Sequence, residues 1–128
     1  MKIILVDAIH CLIYPGGEIF EEMKWLLDWY SNKKIILTGA NPEQSKQHRL
    51  DQVPYELFTL SHNPEKTDPL YYATFLKEKN LTAWECVYFE NSLEAVKSAR
   101  SVGITTHHYD RELKDLVALQ QFLDKELV

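Results

Sequence analysis

Apolar and polar positions follow two different periods along the chain. "KIILVDA" (2–8) is a continuous apolar run that ends on a carboxylate, the pattern of a strand buried on both faces. Ile19, Phe20, Met23, Leu26, Leu27 and Tyr30 recur at helical spacing and predict an amphipathic helix over 17–31. "KKIILTG" (33–39) predicts a second buried strand, and "ANPEQSKQHRL" (40–50) a helix with Asn41 as its cap and Pro42 at its first position. "YELFTL" (55–60) is a weaker strand. Asp68-Pro69 repeats the cap-then-proline signal and opens a helix to Lys79. "ECVYFE" (85–90) is a strand, after which Ser92 caps the helix "LEAVKSARSV" and Gly103 ends it. "ITTHHY" (104–109) is the fifth strand. Leu113, Leu116, Val117, Gln120 and Leu123 place a closing helix over 110–126.

Five strands alternating with helices specify a parallel sheet covered on both faces, a three-layer α/β/α sandwich of the α/β class. No linker, repeat or low-complexity stretch divides the 128 residues. They read as one domain, 1–128, able to bury roughly two-thirds of the unfolded surface.

Composition narrows the partners. A formal charge of -5 leaves no basic footprint for nucleic acid. Cys11 and Cys86 are the two cysteines, both in apolar, strand-like stretches without a CxxC spacing, as suits a reducing cytoplasm. One Lys and four apolar residues before Asp7 are too few for a signal peptide or a membrane span, so no membrane partner is expected. Trp25, Trp29 and Tyr30 lie on or beside the first helix, and Tyr71, Tyr72 and Phe75 on the third. Most read as packing. Trp29 and Tyr71 fall outside the main stripes, as an exposed aromatic pair at an interface would. His107-His108 are neighbours on a strand and face opposite ways, so they read as edge-strand residues rather than a metal pair.

In parallel sheets of this kind, ligands sit beyond the carboxyl ends of the strands, where strand order reverses. The sequence places Asp7 after the first strand, Thr38 after the second, Glu90-Asn91 after the fourth, and Lys66 in the loop entering the third helix. Thr38 and Asn91 read equally well as loop or cap residues, and Lys66 as a solvated lysine. Asp7 resists such a reading, because a carboxylate delivered by a buried strand is costly unless something uses it.

These segments resemble the motifs of the haloacid dehalogenase superfamily across essentially the whole chain. "ILVDAIHCL" is similar to the family's apolar strand ending in Asp-x-Asp. "IILTGAN" is similar to its strand ending in Thr or Ser, and "KTDPLYY" to its lysine motif. "VYFENSLEAVKSARSVGI" is similar to its acidic pair followed by a helix with spaced alanines. The resemblance implies a phosphohydrolase-type site. Asp7 would be the nucleophile that forms an aspartyl-phosphate, Thr38 and Lys66 would hold phosphoryl oxygens, and Asp7, Glu90 and Asn91 would face Mg²⁺.

Two positions depart from that pattern. Ile9 stands where the family's second Asp moves protons, a contribution of about 10²–10⁴-fold. Asn91 replaces an acidic residue, which weakens or removes a Mg²⁺ site. His10 does not supply the missing acid simply: on a continuing strand it faces away from Asp7. The expectation is a weak or inactive phosphohydrolase acting on a small phosphorylated ligand. Two further readings fit. One is a non-catalytic domain that binds a protein partner. The other is a metal-independent hydrolase like the dehalogenases proper, which keep Asp-Ala without the second Asp and carry Asn near the fourth motif. That branch relies on a cap domain, and the segments 9–16 and 61–65 leave no room for one. A receiver domain of the response-regulator type also uses Asp, Thr and Lys, but its acidic pair comes first and its Lys late, against the order here.

Overall fold

A computed structural model describes all 128 residues. The strands β1 (Ile3–Asp7), β2 (Lys34–Thr38), β3 (Glu56–Thr59), β4 (Cys86–Glu90) and β5 (Thr105–His108) form one parallel sheet in the order β3-β2-β1-β4-β5. The helices are α1 (Glu21–Trp29), α2 (Pro42–Gln47), α3 (Pro69–Lys79), α4 (Leu93–Ser101) and α5 (Leu116–Glu126). No helix is long and apolar enough to cross a membrane.

Alternation along the strands divides the core in two. Ile4, Val6, Ile36, Val87 and Phe89 pack with Met23 and Leu27 of α1 and Leu119 and Leu123 of α5. Leu5, Ile35, Leu37, Cys86 and Tyr88 pack on the other face, with Tyr71, Tyr72 and Phe75 of α3 and Ala99 of α4. Asp7 and Glu90 continue the parity of this second face, the one that the loop into α3 crosses. Strand order reverses between β1 and β4, so the crevice of the doubly wound sheet opens at the end of β1.

The caps are placed as the sequence specifies. Asn41 and Gln44 make a reciprocal capping box on α2, Asp68 accepts from Leu70 N, and Ser92 accepts from Ala95 N. Helix α3 has the predicted extent, whereas α1, α2 and α5 are shorter than the sequence suggests. Ile19 is drawn into a bridge with Ile13, and Phe20 donates its N–H to Leu12 O at 2.8 Å, so α1 begins at Glu21 and not at 17. Arg49 takes the left-handed conformation and ends the α2 segment before Leu50. Asp110 accepts from Glu112 N and Leu113 N in a local turn, and Asp115 caps α5 at Leu116 in place of a start at 110.

Two other expectations are corrected. Cys11 lies in a buried turn after β1, not in a strand. Tyr71 is wholly buried because its hydroxyl finds carbonyl partners, donating to Thr38 O at 2.7 Å and Phe58 O at 3.3 Å. The exposed tryptophans are Trp29 and Trp25, one turn apart on the outer face of α1, and Trp84 before β4. His107 and His108 do lie on an edge strand. His107 stacks on Phe122, and His108 Nε2 is 3.0 Å from Asn91 O.

Candidate active site

β1 delivers Asp7 to the floor of an open crevice of about 320 Å³ at the carboxyl edge of the sheet. Thr38, Lys66 and Asn91 line the same crevice, with Ile9, His10 and His62 at its rim. Glu90 lies directly behind, through Lys66. The polar groups placed at separate strand ends by the sequence therefore meet around one crevice.

Lys66 joins the two carboxylates. Its Nζ is 2.8 Å from Asp7 Oδ1, 2.6 Å from Glu90 Oε1 and 3.1 Å from Leu37 O. Asp7 Oδ2 accepts from Asn91 N at 3.1 Å, from Asn91 Nδ2 at 2.5 Å and from the Cys11 thiol at 3.4 Å. Glu90 is turned inward. Tyr88 OH donates to its Oε1 at 2.6 Å, and Ser92 N to its Oε2 at 2.9 Å. Thr38 is buried at the end of β2. Its Oγ1 accepts from Ala40 N at 3.1 Å and keeps its own O–H for the crevice.

This packing separates the two carboxyl groups electrostatically. Burial alone would raise Asp7, but the Lys66 charge and hydrogen bonds from its neighbours outweigh it and hold the group at about 2. Burial and the Asp7 charge push Glu90 up to about 7, against the pull of Lys66. Burial opposes the charge on Lys66, but Asp7 and Glu90 together keep it well above its ordinary value. At neutral pH the crevice floor holds one firmly ionised carboxylate beside a fixed ammonium. Burial, with Asp7 next, pushes the Cys11 thiol up, so it is an uncharged donor and not a nucleophile.

Some contributors were not legible in the sequence. Tyr88 appears there only as an apolar strand residue. Gln44, His48, His62 and Glu65 reach the crevice from α2 and from the β3–α3 loop. His62 Nε2 is 2.5 Å from Gln44 Oε1, and its Nδ1 is 3.0 Å from Glu65 Oε2. A Cβ at Gly39 would stand 3.3 Å from His62 Nδ1, so the small residue after Thr38 keeps this wall close. No spacing in the sequence connects these positions.

No family model matches the sequence, and no curated protein matches it. Solved structures are similar to it. One is the D,D-heptose 1.7-bisphosphate phosphatase of B. bronchiseptica, complexed with magnesium and phosphate. It aligns with TM-score 0.70 and 16% identity over 98% of this chain and 99% of its own. A HAD family enzyme of Bacteroides thetaiotaomicron, in complex with magnesium and inorganic phosphate, aligns with TM-score 0.68 and 13% identity over 87% of this chain and 95% of its own. A conserved haloacid dehalogenase-like protein of unknown function from Agrobacterium tumefaciens aligns with TM-score 0.60 and 16% identity over 83% and 61% of the two chains. In strand order, helix placement and the absence of any domain inserted after β1 or β3, the chain has the fold of the haloacid dehalogenase superfamily without a cap.

Proposed function

We propose that the crevice takes a phosphoryl group and transfers it to Asp7, as a slow, phosphohydrolase-type site. The observation that carries this reading is the ionised Asp7 on the floor of an open crevice, with an ammonium at 2.8 Å and the Thr38 hydroxyl beside it. Oδ2 of Asp7 is fully occupied by donors, whereas Oδ1 gives one lone pair to Lys66 and keeps another. Oδ1 is then the attacking oxygen. The O–P bond forms at Asp7, the bond to the leaving oxygen breaks, and that oxygen departs with the electron pair. Lys66 offsets the charge on the phosphoryl oxygens, and Thr38 donates to one of them.

The donor set does not suit a resident Mg²⁺. Asp7 and Glu90 spend their oxygens on Lys66, Asn91, Tyr88 and Ser92, and Asn91 presents Nδ2, a donor, to Asp7. No group of three or more His, Cys, Asp or Glu side chains is arranged to hold a metal ion. Even with Glu90 fully ionised, two carboxylates against one ammonium leave a single net negative charge for a cation that demands hard, charged oxygens. The Asn91 amide on Asp7 also favours a second reading, metal-independent hydrolysis at carbon. The short β1–α1 and β3–α3 connections leave that reading without a cap to close over its substrate.

The test is phosphate release from aryl and acyl phosphates, with Mg²⁺ present, by the native chain, Asp7→Asn and Ile9→Asp. Slow native turnover is expected, with none from Asp7→Asn. Ile9→Asp should gain about 10²-fold, the scale of a positioned proton-transfer group. Native activity that survives Asp7→Asn would overturn the reading. An intact Ile9→Asp/Asn91→Asp protein with no activity would move the assignment to a non-catalytic module for a protein partner.

A further inference from the structure

The strand that carries Asp7 ends there, and the turn after it changes which side chains face the crevice. Ala8 O accepts the N–H groups of Cys11, Leu12 and Ile13 at 3.3, 2.9 and 2.9 Å, closing a tight buried turn. His10 sits in that turn with φ 71, in the left-handed region, and its N–H donates to Ile13 O at 2.9 Å. The alternation that would send residue 10 away from Asp7 applies to extended backbone only. Here the left-handed residue turns the chain back, and His10 lines the crevice together with Asp7, Thr38 and Lys66. Held backbone in a sparsely populated conformation is common where a side chain must be aimed.

Three imidazoles reach this crevice, and they differ in one respect. His62 has both ring nitrogens engaged, by Gln44 and Glu65, and His48 Nδ1 accepts from Gly16 N at 3.0 Å. His10 lines the crevice and makes no side-chain hydrogen bond, so both of its ring nitrogens are unpaired. We propose that His10 is the proton-transfer residue of the Asp7 site, working from the turn in the role that Ile9 cannot fill from the strand end. This rests on the phosphohydrolase reading above. In the second half-reaction a water oxygen bonds to phosphorus, and the bond from phosphorus to Asp7 Oδ1 breaks. Its electron pair returns to the carboxylate, and the water proton passes to a free His10 nitrogen and then to solvent.

The groups around His10 suit a base. Burial and Arg111 lower its pKa, against the opposing pull of Asp7 and Glu112, so the ring is neutral at pH 7. A neutral imidazole gains a proton as pH falls. Turnover that depends on it should therefore rise with pH through an ionisation below the ordinary histidine value of about 6.5 and level off above it.

The experiment is burst and steady-state kinetics on p-nitrophenyl phosphate with the native chain, His10→Asn and Asp7→Asn. Asn tolerates the left-handed conformation and does not titrate. His10→Gln is the second variant should His10→Asn not fold. The expected result is an Asp7-dependent burst that persists in the His10 variant, a steady-state rate lowered at least 10-fold, and loss of the rising limb of the pH profile. An NMR titration of the His10 ring should also show its pKa falling in Asp7→Asn, because the carboxylate that favours the imidazolium is gone. A burst with unchanged turnover and pH profile in the His10 variant overturns the role of His10 alone. A His10 pKa indifferent to Asp7→Asn does the same. A native chain with no Asp7-dependent burst overturns the phosphohydrolase reading and this inference with it.

Discussion

Replacing Lys66 by Met leaves two buried carboxylates without their cation. Nζ stands 2.8 Å from Asp7 and 2.6 Å from Glu90, and the three side chains are only 14%, 6% and 2% exposed. Breaking a buried pair by removing one partner costs about 3–5 kcal/mol, because the charge left behind stays desolvated. The cost depends on pH through Glu90. Its folded-state value of about 7 lies above the ordinary 4.5, so the native chain loses stability as pH rises across that window. Asp7 has the opposite sign. Held at about 2 against an ordinary 3.8, it contributes stability present above 3.8 and lost as pH falls toward 2. Without Lys66, Glu90 ionises at still higher pH, so the variant goes on losing stability above 7 after the native chain has levelled. Near pH 8 the full 3–5 kcal/mol is expected. Near pH 5.5, with Glu90 protonated in both forms, the penalty should shrink by about 1.4 kcal/mol for each unit that Glu90 has moved. Urea unfolding followed by circular dichroism at both pH values measures this, and adding Glu90→Gln to Lys66→Met should recover part of the loss. A cost below about 1 kcal/mol, or one equal at the two pH values, would refute this account of the charged group.

Asn91→Asp sets a carboxylate against Asp7; calorimetric titration should show tighter Mg²⁺ binding than in the native chain, and unfolding without the ion should show lower stability. Tyr88→Phe removes the buried hydroxyl that donates to Glu90 at 2.6 Å. It should cost about 1.5–3 kcal/mol, the range for a hydrogen bond to a charged group, with the larger loss above pH 7 where Glu90 is ionised, as urea unfolding at two pH values would reveal.

The fold was legible because its signals are local. Apolar runs such as those of β1, β2 and β4 mark strands buried on both faces, and their alternation with helical periods marks a parallel sheet, although the strand order is visible only in the structure. Helix starts were legible only where a cap competes with nothing else. Asp68 and Ser92 mark α3 and α4 correctly, whereas the apolar Ile19 reads as helical until Ile13 pairs with it. Tyr71 shows the same limit from the other direction. Its burial depends on carbonyls at Thr38 and Phe58, 33 and 13 residues away in sequence. The site positions Asp7, Thr38, Lys66 and Asn91 were legible as strand-end and loop residues. Their partnerships were not, because the Lys66–Glu90 pair and the Asn91–Asp7 hydrogen bonds depend on how β1 and β4 lie side by side. His10 was the least accessible of all, since its direction turns on a single backbone angle.

Ile9 and Asn91 read in the sequence as two separate losses, but in the fold they meet at one nitrogen. Asn91 Nδ2 is 2.5 Å from Asp7 Oδ2, 3.2 Å from Ile9 O and 3.4 Å from Glu90 Oε2. A carboxylate at 91 would replace that donor with a charge facing Asp7, and a carboxylate at 9 would add another at the crevice rim. Lys66 already serves two carboxylates, so either addition needs a further cation to remain ionised near the floor. A neutral amide at 91 and an apolar side chain at 9 are therefore the mutually consistent choice for a site whose one counter-ion is a lysine. The two positions should accordingly be coupled. The gain from Ile9→Asp should be larger in the Asn91→Asp background with Mg²⁺ present than in the native background, because only there does an ion have carboxylates to bind and charge to offset. Equal gains in the two backgrounds would mean that the positions act independently and that Asn91 does not stand in for a cation at Asp7.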